Sequence, residues 1–330
     1  MSKRIPYISL LQIIGPIFVV LGHSLNGIDC AGTWYVFSKE WIYIFHMPLF
    51  FLVSGYLLSH QGYLGDRTYG QFIFVKTKRL IFPWVFWNIL FFLPKALLWK
   101  SEAVTLIGFI APRQNIWTHT WFLVALFILF LATPLFSKLL DARKTWVTVI
   151  VLVVCVIAYM FPIHLLPFDT EIMTLSDLHK DLLFFVIGCL LGQLNQDKLV
   201  WFMKNFRIWL ILGAILSSVA SLIWYDETKP FHFVTCTFIL FALLSVFVSI
   251  EKLPNFWERL SSYSFAIYIM HWPVMLATRV VLYQKLNLGS FVSAFFMVVM
   301  GYIVPIAIVT VIRAIPLKVI KKPLKYLLGV

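Results

Sequence analysis

Charge is scarce in this 330-residue chain: 12% of its residues are Asp, Glu, Lys or Arg, and only 14 are acidic. A soluble domain carries about a quarter charged residues, so this chain lacks the polar surface that such a fold needs. Cysteine is scarce too. The four present (Cys30, Cys155, Cys189 and Cys236) do not form a disulfide framework. Three fall in apolar stretches, where Cys packs as a small hydrophobe, and none has the spacing of a metal ligand. Long polar linkers, low-complexity tracts and internal repeats are also missing. The missing repeat counts against the inverted-repeat architecture of many transporters. The longest gaps between apolar runs, at 60–79, 100–120 and 164–179, are too short for a second domain. The expectation is a single membrane domain over residues 1–330 with no soluble appendix.

Apolar side chains dominate instead. Hydrophobic residues make up 61% of the chain, the mean hydropathy is +0.91, and there are 32 Phe, 13 Trp and 13 Tyr. Most apolar runs reach roughly 18 residues, enough to cross about 30 Å of hydrocarbon at 1.5 Å per residue. Ten spans are predicted, over 8–28, 39–59, 80–99, 121–140, 145–163, 180–195, 206–225, 232–250, 262–284 and 290–314. The fold class is therefore all-α, an integral membrane protein of about ten transmembrane helices. The basic N-terminal start leads into a long run without a small-residue cleavage site, which predicts an uncleaved first helix rather than a signal peptide.

A formal net charge of +13 would suggest nucleic acid in a soluble protein. Sorted by loop, it reads as topology. Of the 27 Lys and Arg residues, 19 fall on the side that carries the N-terminus, including Lys76, Lys78, Arg79 and Lys318. Positive-inside bias then places both termini in the cytoplasm, with the basic excess on anionic headgroups. No nucleic-acid partner is expected.

Ionisable groups inside a membrane are costly and so mark candidate sites. Gln12 and His23 in the first span are eleven residues apart and share a face within about 20°, on either side of the Gly15-Pro16 break. His46 in the second span lies at a depth similar to His23, two residues before Pro48. A cavity between the two spans competes with an interfacial role for His23 and a cap on the proline kink for His46. His119 and Trp121 open the fourth span, as substrate contacts or as part of an aromatic belt. Tyr268 and His271 share a face of the ninth span at i, i+3. Lys76, Lys78 and Arg79 precede the third span, either as a headgroup cluster or as a grip on the phosphates of a cytoplasmic cofactor. The remaining histidines (His60, His164, His179, His232) carry no assigned role, and Asp181 reads as the acid at the start of the sixth helix. No metal site is expected.

At these motifs the sequence resembles the acyltransferase-3 family of membrane acyltransferases, in its short form similar to fucose 4-O-acetylase-like enzymes. The matching stretches are 15–24 (GPIFVVLGHS), 45–57 (FHMPLFFLVSGYL), 78–87 (KRLIFPWVFW), 120–126 (TWFLVAL) and 264–273 (SFAIYIMHWP). They occur in the family's order. In that family an Arg or Lys stands eleven positions before the first histidine, usually with an Asp three residues earlier. Here those positions hold Gln12 and Ser9, and an amide cannot ion-pair.

The resemblance implies an O-acyltransferase in the cell (inner or plasma) membrane. It would move acetyl from cytoplasmic acetyl-CoA to a hydroxyl of a cell-surface polysaccharide or lipid-linked sugar. In this reading His23 is the general base, an imidazole with an unperturbed pKa of about 6.5 being suited to the task, and His46 orients it or the acceptor. Gln12, Lys76, Lys78 and Arg79 would bind the acyl-CoA donor. His119, Trp121, Tyr268 and His271 would meet the glycan acceptor. An acyl-histidine relay is an alternative chemistry. A glycan or lipid-linked sugar transporter without acyl transfer is the alternative function, and a catalytically impaired assembly partner a third. The sequence leaves the acceptor sugar and the oligomeric state open.

Overall fold

A computed structural model describes residues 5–25, 33–99, 118–140, 145–161, 175–224 and 229–315. Every regular element among them is helical. In chain order these are α1 (Pro6–Ser24), α2 (Thr33–His60), α3 (Tyr69–Lys76), a π-helical turn (Thr77–Ile81) and α4 (Phe82–Trp99). A 3-10 turn (Thr118–Thr120) then precedes α5 (Trp121–Leu131), α6 (Thr133–Leu139), α7 (Thr145–Met160) and α8 (Leu175–Gln193). The chain continues with α9 (Gln196–Asn205), α10 (Arg207–Ile223), α11 (His232–Phe247) and α12 (Asn255–Ser261). It ends with α13 (Ser264–Arg279), a second π turn (Val280–Lys285) and α14 (Ser290–Ala314).

Five described helices are long and apolar enough to cross a membrane, or up to seven if each bent pair is one span. The five are Pro6–Ser24, Phe37–His60, Lys229–Phe247, Ser264–Lys285 and Ser290–Ala314. One span predicted as straight is broken, and the span predicted over 206–225 coincides with α10 but is preceded by a short helix at a sharp angle. The run 121–140 bends by 55° between α5 and α6, and α9 meets α10 at 62°. The first break follows from Pro134 in the opening turn of α6, where the missing N–H and the ring end the preceding helix. The side chains facing outward identify the solvent. On α7, Val149, Ile150, Val153, Val154 and Ile157 are all more than half exposed. On α10, Ile208, Trp209 and Leu216 are exposed by about 70%. Contiguous apolar surface of this kind is a liability in water and ordinary against lipid.

The chain divides into two compact units. Among the described residues, the first comprises those up to Val53 and from Leu194 onward, and the second those between Ser54 and Gln193. In the first unit α1 packs against α11, α12, α13 and α14. Its core joins Val20, Ile267, Met275 and Met297. Gly301 lets α14 approach, because a Cβ there would stand 2.9 Å from Met275 Cγ and 3.0 Å from Val20 Cγ1. Hydroxyls pin α10 to its neighbours: Trp41 Nε1 donates to Ser218 Oγ at 2.9 Å, and Ser221 and Thr235 share a hydrogen bond of 2.7 Å. Polar pairs of this kind hold helices together where no hydrophobic drive operates between them.

In the second unit α2 and α8 meet backbone to backbone. A Cβ on Gly55 would lie 2.1 Å from the Phe185 carbonyl oxygen, and one on Gly192 would lie 2.4 Å from that of Tyr56. The turn after α2 takes positive φ at Gly62, Tyr63 and Gly65. α3 then starts from a capping box between Thr68 and Gln71, which satisfies two otherwise orphaned backbone donors.

Candidate active site

The histidines of three helices converge in the first unit. His23 lies in the last turn of α1, His46 in the middle of α2 and His271 in the first half of α13. The His23 ring centre is 5.3 Å from that of His271 and 6.5 Å from that of His46. Trp272 stands edge-on to His23 at 5.1 Å, and Tyr43 lies 4.8 Å from His46. Two glycines let these helices close. Gly15 sits under the Phe50 ring and Gly22 under Ile42 and Tyr43, with contacts of 2.8 and 3.1 Å for an added Cβ.

His46 and His271 share a local device. Each is followed two residues later by proline, Pro48 and Pro273. Each bonds through Nδ1 to the backbone carbonyl four residues back, Ile42 at 2.9 Å and Ile267 at 3.1 Å. His271 Nδ1 also meets the Tyr268 carbonyl at 2.6 Å. A carbonyl only accepts, so in the neutral rings Nδ1 carries the hydrogen and Nε2 the lone pair. Both rings are thereby held in the tautomer that offers a basic nitrogen away from their own backbone. His23 differs. Its Nδ1 lies 3.5 Å from the Tyr43 hydroxyl, which can donate to it or accept from it. His46 and His271 are buried at 5% and 0% exposure, and His23 is half-buried.

Tyr268 is buried beside the cluster, its ring 6.2 Å from both His271 and Phe50. Gln12 is not part of the cluster, since eleven residues of helix put it about 16 Å down α1 from His23. Between the two, Pro16 interrupts α1 and removes one backbone hydrogen bond. Tyr302 of α14 steadies that stretch by donating to the Ile13 carbonyl at 3.2 Å. Among the described residues, no group of three or more His, Cys, Asp or Glu could hold a metal ion.

The other expected site residues belong to the second unit. Lys76 ends α3, with Nζ 3.7 Å from the Phe130 ring centre and 5.0 Å from that of Phe72. Lys78 lies over Phe74 at 3.9 Å. Arg79 is exposed in the π turn, a form that concentrates at functional sites. Burial between the two rings lowers the Lys76 ammonium to about 7, with repulsion from Arg79 and Arg67 acting in the same sense. His119 and Thr120 are buried and Trp121 half-buried. Asn88 anchors this turn to α4, donating to Thr120 Oγ1 at 3.2 Å and to the Trp84 carbonyl at 2.8 Å.

Some features escaped the sequence reading. Tyr43 and Trp272 both border His23. The one available signal was their position, Tyr43 one turn before His46 and Trp272 inside a repeated His-x-Pro pattern. Asp181 is not a helix-start acid, because α8 begins at Leu175 and Asp181 is buried well inside it.

This is a helical membrane protein whose first unit gathers three imidazoles, an aromatic hydroxyl and an indole around the end of one span. The chain belongs to the acyltransferase-3 family, described as an acyltransferase domain, which it matches over residues 5–310. It is similar to the nodulation protein NolL of Mesorhizobium japonicum, at 26% identity over 220 residues, 65% of this chain and 55% of that protein. It is also similar to NolL of Sinorhizobium fredii, at 28% identity over 222 residues, 66% of this chain and 56% of that protein. The chain thus spans a little over half the length of these curated relatives. No solved structure matches it.

Proposed function

We propose that the chain is a membrane O-acyltransferase that moves acetyl from cytoplasmic acetyl-CoA to a hydroxyl of a cell-surface polysaccharide or lipid-linked sugar. It would work as one membrane domain of about ten spans in the cell membrane, with both termini in the cytoplasm. Membership of the acyltransferase family supports the reaction class. The observation that carries the site is the meeting of His23, His46 and His271 from three separate helices.

In this reading His23 takes the proton of the acceptor hydroxyl as its oxygen attacks the thioester carbonyl. The C–O bond forms, the C–S bond breaks, and the CoA sulfur leaves as a thiol after receiving a proton. A base must be oriented, and Tyr43 against His23 Nδ1 supplies that contact, leaving Nε2 to face the substrate. The lone pairs on His46 Nε2 and His271 Nε2 would accept hydrogen bonds from the acceptor sugar and set its angle of attack. On the donor side, Lys76, Lys78 and Arg79 offer three cations within four residues, suited to the phosphates of CoA. Gln12 offers an amide where the family carries a charge. His119 and Trp121 are assigned to acceptor contacts in the second unit.

The test is direct. Membranes holding the chain are incubated with acetyl-labelled acetyl-CoA, and label in glycan and lipid fractions is compared with membranes lacking it. Label transfer above background supports the acyltransferase, whereas a transporter would give none.

A further inference from the structure

Two cations lie on the helix faces that meet the histidine cluster, toward one end of the first unit. On α2, Lys39, Tyr43 and His46 follow at i, i+4 and i+7 and share a face. Lys39 Nζ stands 5.9 Å from the Tyr43 ring centre, and the Tyr43 hydroxyl in turn reaches His23. On α13, Trp272 and Arg279 are seven residues apart and point the same way within about 20°. That is the face that meets His23, through the Trp272 ring. Helical rise puts Lys39 about 10 Å beyond His46, and Arg279 about 12 Å beyond His271.

Both cations lie at the same end. The first unit packs α1 against α12, the short helix that leads directly into α13. α1 and α13 therefore set out from one end, and the last residue of α13 arrives at the other, where α1 finishes and α2 descends.

Among the described residues no ion pair reaches Lys39 or Arg279, and the buried Arg279 Nε has no hydrogen-bond partner. Glu40, next to Lys39, points about 100° away around α2. Arg279 also opens directly into the π turn Val280–Lys285, an uncommon geometry that concentrates at functional sites. A guanidinium held partly out of water without an anion is costly. Its planar fork fits phosphate and carboxylate alike.

We propose that Lys39 and Arg279 hold an oxyanion carried by the acceptor. The acceptor is then an acidic glycan, with a phosphate or carboxylate about 10 Å from the hydroxyl that is acylated. The inference rests on the acyltransferase reading and narrows its acceptor class. The anion has two possible sources, the phosphate of a lipid-linked sugar or the carboxylate of a uronic acid in a polymer.

The experiment uses the full chain in nanodiscs of zwitterionic lipid, with labelled acetyl-CoA and three acceptors built on one sugar. These are a neutral disaccharide, its uronic-acid counterpart and the sugar phosphate on a polyprenyl carrier. The wild type is expected to favour one anionic acceptor over the neutral one by about tenfold or more in kcat/KM. Arg279→Gln and Lys39→Gln should each raise the KM for that acceptor about tenfold while the donor KM stays put, and Arg279→Lys should recover part of the loss. The acceptor most affected names the source of the anion. Equal use of neutral and anionic acceptors, or an anionic preference intact in both glutamine variants, overturns the proposal and leaves the cations as headgroup anchors. Absence of label transfer to any acceptor, endogenous glycans included, overturns the acyltransferase reading together with this inference.

Discussion

If Lys76 holds the donor phosphates as proposed, donor binding should depend on pH in a way that follows from the surroundings of its ammonium. Its ammonium lies between the Phe72 and Phe130 rings, near Arg67 and Arg79, and is lowered to about 7. The sign follows from the chemistry. A lysine with a lowered pKa is charged below about 7 and loses that charge as the pH rises through it. A CoA phosphate binds the charged form, so donor affinity should be full near pH ~6 and fall toward pH ~8. The charged fraction drops by about tenfold between those limits, and the apparent Kd for CoA should rise by a similar factor. Direct binding of labelled CoA to the detergent-solubilised chain reads this without interference from imidazoles titrating in the reaction. Lys76→Arg, which keeps its charge throughout, should flatten the profile, while Lys78→Arg should leave the slope in place. A wild-type Kd that is constant from about pH 6 to about pH 8, or an unchanged slope in the Lys76→Arg variant, would refute the assignment of Lys76 to the donor phosphates.

Two further outcomes follow from named contacts. Tyr43→Phe removes the hydroxyl 3.5 Å from His23 Nδ1 and should lower kcat about tenfold, the lower end of what a hydrogen bond to a charged group contributes. Steady-state acetyl transfer checks this, and an unchanged kcat would remove Tyr43 from the account. Gly55→Ala ordinarily steadies a helix by about 0.5–1 kcal/mol, yet here the methyl meets the Phe185 carbonyl at 2.1 Å. Thermal unfolding in detergent should show a loss of at least ~1–3 kcal/mol, and a gain in stability would show that α2 and α8 are not in backbone contact.

Composition and run length were enough to read the class of the fold, because lipid leaves the outward faces apolar and no soluble surface could. That His23 and His46 lie at one level, their rings 6.5 Å apart, was legible because helical rise is a fixed quantity. Rotation about the helix axis is not. Whether a side chain faces a neighbour or lipid depends on which helix lies alongside, and that kept Tyr43 and Trp272 hidden although both were in view. His271 was expected to meet the acceptor, and its ring lies 5.3 Å from the proposed base. Run length also misled where helices break. Apolar residues continue through Ala132 and Pro134, but the chain turns by 55° there. The amphipathic α9 was too polar to register as a span at all. Gln12 remained legible as a departure from the family pattern, and the distance along α1 explains how the histidine cluster forms without it.

The most direct test of the central claim is acetyl transfer by His23→Ala. Wild-type and variant chains would be brought to equal amounts in the same membranes and supplied with acetyl-labelled acetyl-CoA, with CoA binding measured alongside. Label in the glycan fraction should fall at least ~100-fold, as expected for loss of a general base, while CoA binding is retained. Transfer at the wild-type rate would contradict that claim and move the proton-accepting role to another residue of the cluster.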